Sequence, residues 1–323
     1  DTYQFDSTVP VNEIKLKDAL KDYTGELNLN LKIFDCATNE VLNESNVFME
    51  KIDADIYLAN SIINSTRYEG KDIFISNIVD ISNYKKIDFD NCTIHFNSNA
   101  YFKMNTSDLN ISHSTLTSVY DRSKVNEEKC FVMTSGSINI SDSFVEGMDQ
   151  VIKTSKTKIK ITDTQIRNCN SFINSQKGQI IIDHITFDEG ENFSDNIFEN
   201  SIKIRNSSFK NAKSVFSIGV TEMVSFEGNH FEGIESDTLN IYDSKKTVFS
   251  DLEFVDVGMA IKVTNTDFTL RDTKISDSAN GLYLMDLDTI INNLLIENVK
   301  NGIYLINCFS QINNSKLSTA EIA

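Results

Sequence analysis

A chain of 323 residues with 40% hydrophobic side chains holds enough apolar material for a packed core, which excludes wholesale disorder. Twelve Gly, one Pro and no Trp do not suit a fold turned by Gly/Pro hairpins, so Asn and Asp are left to make the turns. A formal net charge of −17 repels phosphate backbones, anionic lipid and, unless calcium bridges them, acidic polysaccharides; nucleic acid is excluded as a partner, whereas a protein surface or a neutral glycan is compatible.

No apolar run approaches the roughly 18 residues of a membrane span, so no membrane insertion is expected of this segment. The start Asp1-Thr2-Tyr3-Gln4 lacks the profile of a signal peptide, and the chain reads as a mature or excised piece. Its five cysteines, Cys36, Cys92, Cys130, Cys169 and Cys308, form no CxxC pair; buried free thiols are expected, with one or two disulfides left open.

In chain order, residues 1–26 are expected to form an N-terminal cap, with a short amphipathic helix over Val11 to Asp22 as one form of it. Leu27, Leu29, Leu31 and Ile33 alternate as a half-buried strand does, and a β-helix is expected from residue 27 to residue 323. Ile56-x-Leu58 and Ile63 occupy the relative places of a coil with an insertion after it.

From Ile87 onward a repeat dominates. The unit apolar-x-apolar-x-Asx-small-x-apolar starts at Ile87, Leu109, Ile138, Ile159, Ile180, Ile202, Val224, Thr247, Phe268, Thr289 and Ser310, at spacings of 21 to 23 residues and one of 29. Counting the start as position zero, position two is apolar in all eleven units (Phe89 to Ile312), and so is position seven (Ile94 to Leu317). Alternation at zero and two is strand periodicity, and the change of phase before seven requires a bend. Position four supplies it, with Asn91, His113, Asp142, Asp163, His184, Asn206, Gly228, Asp251, Asp272, Asn293 and Asn314, types that tolerate left-handed backbone angles or bond their own backbone.

A third strand, marked by Val79, Val151, Phe172, Val215, Leu239, Ile261, Leu282 and Ile303, precedes the next unit. Coils stacked at the strand spacing place like on like, so Phe187, Phe209, Phe231 and Phe254 form an internal aromatic stack. The period exceeds the roughly 18 residues of a left-handed hexapeptide β-helix. The expected class is all-β: a right-handed single-stranded parallel β-helix, a solenoid of about 11–13 coils.

The segment Ile291-Asn292-Asn293-Leu294-Leu295-Ile296-Glu297-Asn298, followed by Asn301-Gly302-Ile303-Tyr304-Leu305 and Ile312-Asn313-Asn314, resembles the right-handed β-helix repeats of the pectate-lyase-like superfamily. The resemblance spans about residues 87 to 317. It implies the fold and leaves the activity open, because that superfamily holds lyases, hydrolases, epimerases, phage tailspikes, adhesins and noncatalytic surface proteins.

Candidate chemistry is sparse. Asn265-Thr266-Asp267 resembles one short motif of the polygalacturonase branch, whose other motifs are missing here. Elimination of the pectate-lyase type needs an Arg or Lys base beside calcium-holding carboxylates, and Arg271 with Asp251 and Asp272 comes nearest; the same aspartates also read as corner residues, with Arg271 as a solvent-facing ion-pair partner. Asp256 and Asp277 share a column with Asn168, Asn211 and Asn298, which suits a hydrogen-bonded turn ladder better than a hydrolase pair. His95, His113, His184 and His230 are dispersed and read as structural. Two segments break the rhythm, Asp121 to Lys129 and Asp188 to Asn200, and are expected as projecting recognition loops. In the second, Asp188, Glu189, Glu191 and Asp195 are the weak candidates for calcium, the one cofactor to be considered.

Nine Asn-x-Ser/Thr triplets occur. Asn43, Asn64, Asn105, Asn110, Asn139, Asn192 and Asn313 are the glycosylation candidates, while Asn91 and Asn206 fall in the tight corner. The expectation is a noncatalytic extracellular or cell-surface recognition or structural module, with a carbohydrate-active enzyme as the alternative. The last coil, begun at Ser310, lacks a cap in the sequence, so further domains or homo-oligomer contacts are expected to cover that end.

Overall fold

The computed structural model describes residues 25–34, 41–51, 54–58, 65–98, 100–119 and 129–318, with backbone only in the first two segments and at Asp195. The chain divides into two units, Asp1–Ala54 and Asp55–Ala323. In the first, β1 (Gly25–Phe34) and β2 (Val41–Lys51) pair antiparallel, Gly25 opposite Lys51, with a bulge at Ile33/Phe34. The alternation at Leu27–Ile33 therefore marks a strand, but one that pairs within a hairpin and not as a first coil; a period of two fixes a strand and not its partner. The cap expected before residue 25, Ile63, Cys36 and the Asp121 to Lys129 insertion (up to residue 128) lie outside the described residues.

The second unit is a parallel β-solenoid. All eleven unit starts fall in register, from Ile87 opposite Leu109 to Thr289 opposite Ser310. The strand Arg67–Glu69 stacks above Lys86–Asp90 with Tyr68 against Phe89 and adds a twelfth rung. Ile56–Leu58 pairs with Ile73–Ile75, which pairs with the Ile94 strand, so these residues occupy position seven and not positions zero and two. Position seven runs in register from Ile94 to Leu317.

The third strand needs a shift of one residue in three coils. Its register column is Val79, Phe102, Phe131, Ile152, Ile173, Ser194, Phe216, Leu239, Ile261, Leu282 and Ile303, so Val151, Phe172 and Val215 stand one place early. Both members of each neighbouring pair, such as Val151 and Ile152, are buried. A bend at the strand entrance turns two consecutive side chains inward, which hides the alternation.

Every residue of the position-four column has a positive φ, from 48° at Asp142 to 65° at Gly228. The Asn168, Asn211, Asp256, Asp277 and Asn298 column does too, and so does a third corner at Lys156, Lys177, Glu199, Val220, Asp243, Asn265, Asp286 and Asn307. From Asp142 to Asn307 there are three left-handed corners per coil, which explains how so few glycines suffice. The small residue after the first corner has a defined job. Ser114, Ser143 and Ser207 each donate to the carbonyl two residues back, at 2.6 Å, and accept a backbone N–H from the preceding coil. One hydroxyl thus ties a corner to its neighbour.

Inside, Phe209, Phe231 and Phe254 stack at 5.3 and 4.8 Å between ring centroids, within 13° of parallel. Phe187 joins through Phe193, whose ring stands edge-on to both Phe187 and Phe209. Gly190 makes this packing feasible, because a β-carbon there would strike the Phe187 ring and the Cys169 carbonyl. Cys92, Cys130, Cys169 and Cys308 form no disulfide among the described residues, and the first three are buried.

Position zero contains a defect. Thr247 is 0% exposed between Val224 and Phe268, and its hydroxyl has no hydrogen-bond partner among the described residues. Burying an unpaired hydroxyl costs on the order of 1–3 kcal/mol, so Thr247→Val is expected to stabilise the protein by about 1 kcal/mol. Chemical denaturation of the two proteins side by side checks this; a lower midpoint for the variant would show the hydroxyl to be satisfied.

Candidate functional site

The first corner and the strand after it form a groove of about 530 Å³ on the outside of the solenoid, lined by Gly228, Asp251, Asp272 and Asn293 on one side and His230, Glu253, Lys274 and Leu295 on the other. Register explains the juxtaposition: the first four are position four of consecutive coils and the second four are position six, the outward place before the buried position seven. The structure thus brings Asp251 and Asp272 together as expected. Arg271 is exposed on the preceding strand and does not line the groove. The aspartates have corner geometry, with φ of 55° and 50°, and Asp272 accepts the Asn293 amide at 2.8 Å.

Position six carries what the sequence reading missed. His230 Nδ1 lies 3.1 Å from Glu253, which Lys274 approaches to 3.6 Å; His230 Nε2 lies 3.4 Å from Glu232, which Lys210 holds at 2.8 Å. The Lys210 ammonium, followed by His230, keeps the Glu232 carboxyl below its ordinary range. The result is a chain of paired side chains, Lys210, Glu232, His230, Glu253 and Lys274, crossing four coils. Its signal in the sequence is His230, Glu253 and Lys274 at one offset of successive units, a polar column beside the apolar ones.

The other histidines also sit on carboxylates: His95 on Asp72, His113 on Asp90 and His184 on Asp183, at 2.9 to 3.0 Å. The hydrogen bond to Asp90 raises the His113 pKa, and that to His113 lowers the Asp90 pKa. The sign follows for each partner. The His113 contribution is complete below its unfolded pKa and fades as pH rises through the raised folded value. The Asp90 contribution is complete above its unfolded pKa and fades as pH falls through the lowered one. Both groups are solvated, so the effect on stability is small. NMR titration is expected to show the raised His113 pKa and its return towards the ordinary histidine value in Asp90→Asn.

The acidic segment is not a projecting loop. Asp188 to Asn200 lies within the strand Thr186–Arg205, which pairs with both neighbouring strands and absorbs its irregularity as a bulge between Ser194 and Ile197. Asp188 accepts the Asn211 amide at 2.8 Å, and Glu189, in a left-handed corner, pairs with Arg167 at 2.8 Å, which lowers the Glu189 pKa. Glu191 is exposed, and the Asp195 side chain lies outside the description. Among the described residues no three or more His, Cys, Asp or Glu side chains are grouped to hold a metal ion.

In the Asn-Thr-Asp triplet, Asn265 bonds Asp243 at 2.7 Å and Thr266 links two coils, both as corner residues. Asn298 bonds Asp277 at 2.5 Å, as a turn ladder does. Among the described glycosylation candidates Asn105 is exposed in a bend and accepts from the Thr134 hydroxyl, and Asn110, Asn139, Asn192 and Asn313 are half-buried; all five hydrogen-bond across coils. Asn43 lies in β2 with backbone only, and Asn64 lies outside the described residues.

Residues 196–317 match the family described as a right-handed β-helix region. The parallel solenoid of the second unit contains these residues and extends before them. No curated protein sequence matches the chain. Among solved structures, the catalytic domain of a GH87 alpha-1,3-glucanase in complex with nigerose aligns with TM-score 0.32 and 7% identity, over 80% of this chain and 63% of that one. This chain therefore spans less than two thirds of that domain. The A-module of the mannuronan C-5 epimerase AlgE6 of Azotobacter vinelandii gives TM-score 0.29 and 9% identity over 78% and 91% of the two chains. PfbA, a surface adhesin of Streptococcus pneumoniae, gives 0.18 and 10% over 72% and 83%.

Proposed function

We propose that the chain is a noncatalytic recognition and structural rod of an extracellular or cell surface. The observation that carries this reading is the use to which the groove's polar groups are put. Asp251 and Asp272 are corner residues with left-handed backbone, Asp272 takes an amide from the next coil, and Glu253 is shared between His230 and Lys274. The Asn293–Asp272 hydrogen bond and the His230–Glu253–Lys274 pairing hold coils to one another. An acid–base pair for glycan cleavage instead needs two carboxyls free to act on substrate.

A carbohydrate-active enzyme is the second reading, favoured by the groove itself, which gathers three carboxylates, a histidine and a lysine. Depolymerisation assays on neutral and acidic glycans, with and without calcium, separate the two. No product is expected. Turnover that Asp251→Ala or Asp272→Ala abolishes would overturn the rod reading.

The rod reading extends to assembly. In the coil Asn301–Ser318, Leu305, Ile312 and Leu317 are 40–47% exposed, whereas Leu284, Ile291 and Ile296 one coil earlier are 0% exposed. The amides of Asn301, Asn307 and Asn313 all donate toward the preceding coil, at 2.9 Å, so their carbonyl oxygens are left for the next rung. We propose that a second copy of the chain continues this ladder with a parallel strand. Sedimentation velocity tests the second copy: concentration-dependent association is expected, and Ile312→Glu is expected to remove it. A wild-type monomer at all concentrations would exclude the second copy.

A further inference from the structure

The strongest remaining feature is on another outer face, where two contiguous clefts of about 530 and 610 Å³ share Asp267, Asp288 and Phe309. Phe309 is 85% exposed and Ile290, on the floor of the first cleft, is 47% exposed. Asp288 is paired in register with Phe309, and Asp267 precedes Phe268 as Asp288 precedes Thr289, so the two carboxylates and the ring occupy one column on three successive coils. Both aspartates are exposed, and neither side chain has a hydrogen-bond or ion-pair partner among the described residues. Some corner aspartates of this solenoid are bonded across coils, as Asp243 is by Asn265 and Asp286 by Asn307, while Asp251 and Asp256 carry no such bond among the described residues. This pair is left open at a strand spacing of about 4.8 Å.

We propose that this column is a binding site for a neutral polysaccharide laid along the solenoid. The chemistry of the lining selects that ligand. The exposed ring offers a flat apolar surface for the C–H face of one sugar, with Ile290 extending it. Carboxylates accept from neighbouring hydroxyl groups, and two of them one rung apart span one or two sugars. Asn307 and Gln311 add amide groups at the rim. An anionic glycan would place like charge on Asp267 and Asp288, and the whole chain carries −17. The inference rests on the recognition reading and gives it a place and a ligand class.

The test uses the full chain, in the presence of a chelator, on immobilised neutral glucans, mannans and galactans with polygalacturonate as the anionic control. Retention on at least one neutral polymer and none on polygalacturonate is expected. Phe309→Ala and the near-isosteric Asp288→Asn are each expected to weaken binding about tenfold or more, while Asp256→Asn, at a corner away from the clefts, leaves it unchanged. If Phe309→Ala fails to fold, Asp288→Asn and Asp267→Asn decide the matter. Retention on no neutral polymer, a preference for polygalacturonate, or loss on Phe309→Ala of self-association but not of glycan binding would overturn the site. None of those outcomes creates turnover, so the noncatalytic reading stands or falls separately.

Discussion

Phe231→Ala is expected to lower the stability of the second unit by about 3–5 kcal/mol. The ring is 0% exposed and lies between Phe209 and Phe254, each within 13° of parallel. Neighbours above and below are fixed by strand register to Phe209 and Phe254, so the cavity has little freedom to collapse. Phe198→Ala serves as the comparison: Phe198 is only partly buried and meets Tyr242 edge-on at 6.2 Å across Gly219. Its loss is expected to be clearly smaller in denaturant titrations. Equal losses at the two sites would contradict the inward register of position seven.

Asn200→Ala is expected to cost about 3 kcal/mol for a different reason. Asn200 is 1% exposed; its amide donates to the carbonyls of Ser175, at 3.0 Å, and Phe198, at 2.6 Å, and its oxygen accepts from the Ser175 hydroxyl at 3.3 Å. Thr154 donates to that hydroxyl from the coil before, so three coils share one polar network. Removing the amide strands a buried carbonyl and hydroxyl, each worth on the order of 1–3 kcal/mol when unpaired. Asn196→Ala, on the exposed side of the same strand, is expected to stay within about 0.5 kcal/mol of the parent. A loss at Asn196 as large as at Asn200 would mean that the cost is local strand propensity and not the network.

By itself the sequence determined the solenoid, the register of positions zero to seven over eleven coils and the first left-handed corner, because all three are expressed by residue type at fixed offsets. An apolar column facing a shared core tolerates few exceptions, and a left-handed corner favours Asn, Asp or Gly. The third corner was illegible because it accepts Lys156, Lys177, Glu199 and Val220, whose types do not announce a positive φ. The hairpin of β1 and β2 is indistinguishable from a coil in the sequence, since alternation is the same whichever way the partner strand runs. Only the tertiary structure decided the sites. The groove needed the pairing of His230 with Glu253 and Glu253 with Lys274, and the Asp267–Asp288–Phe309 column needed both stacking and exposure. Stacking brings residues some 21 residues apart to within one strand spacing, and outward positions are free to vary because no core constrains them.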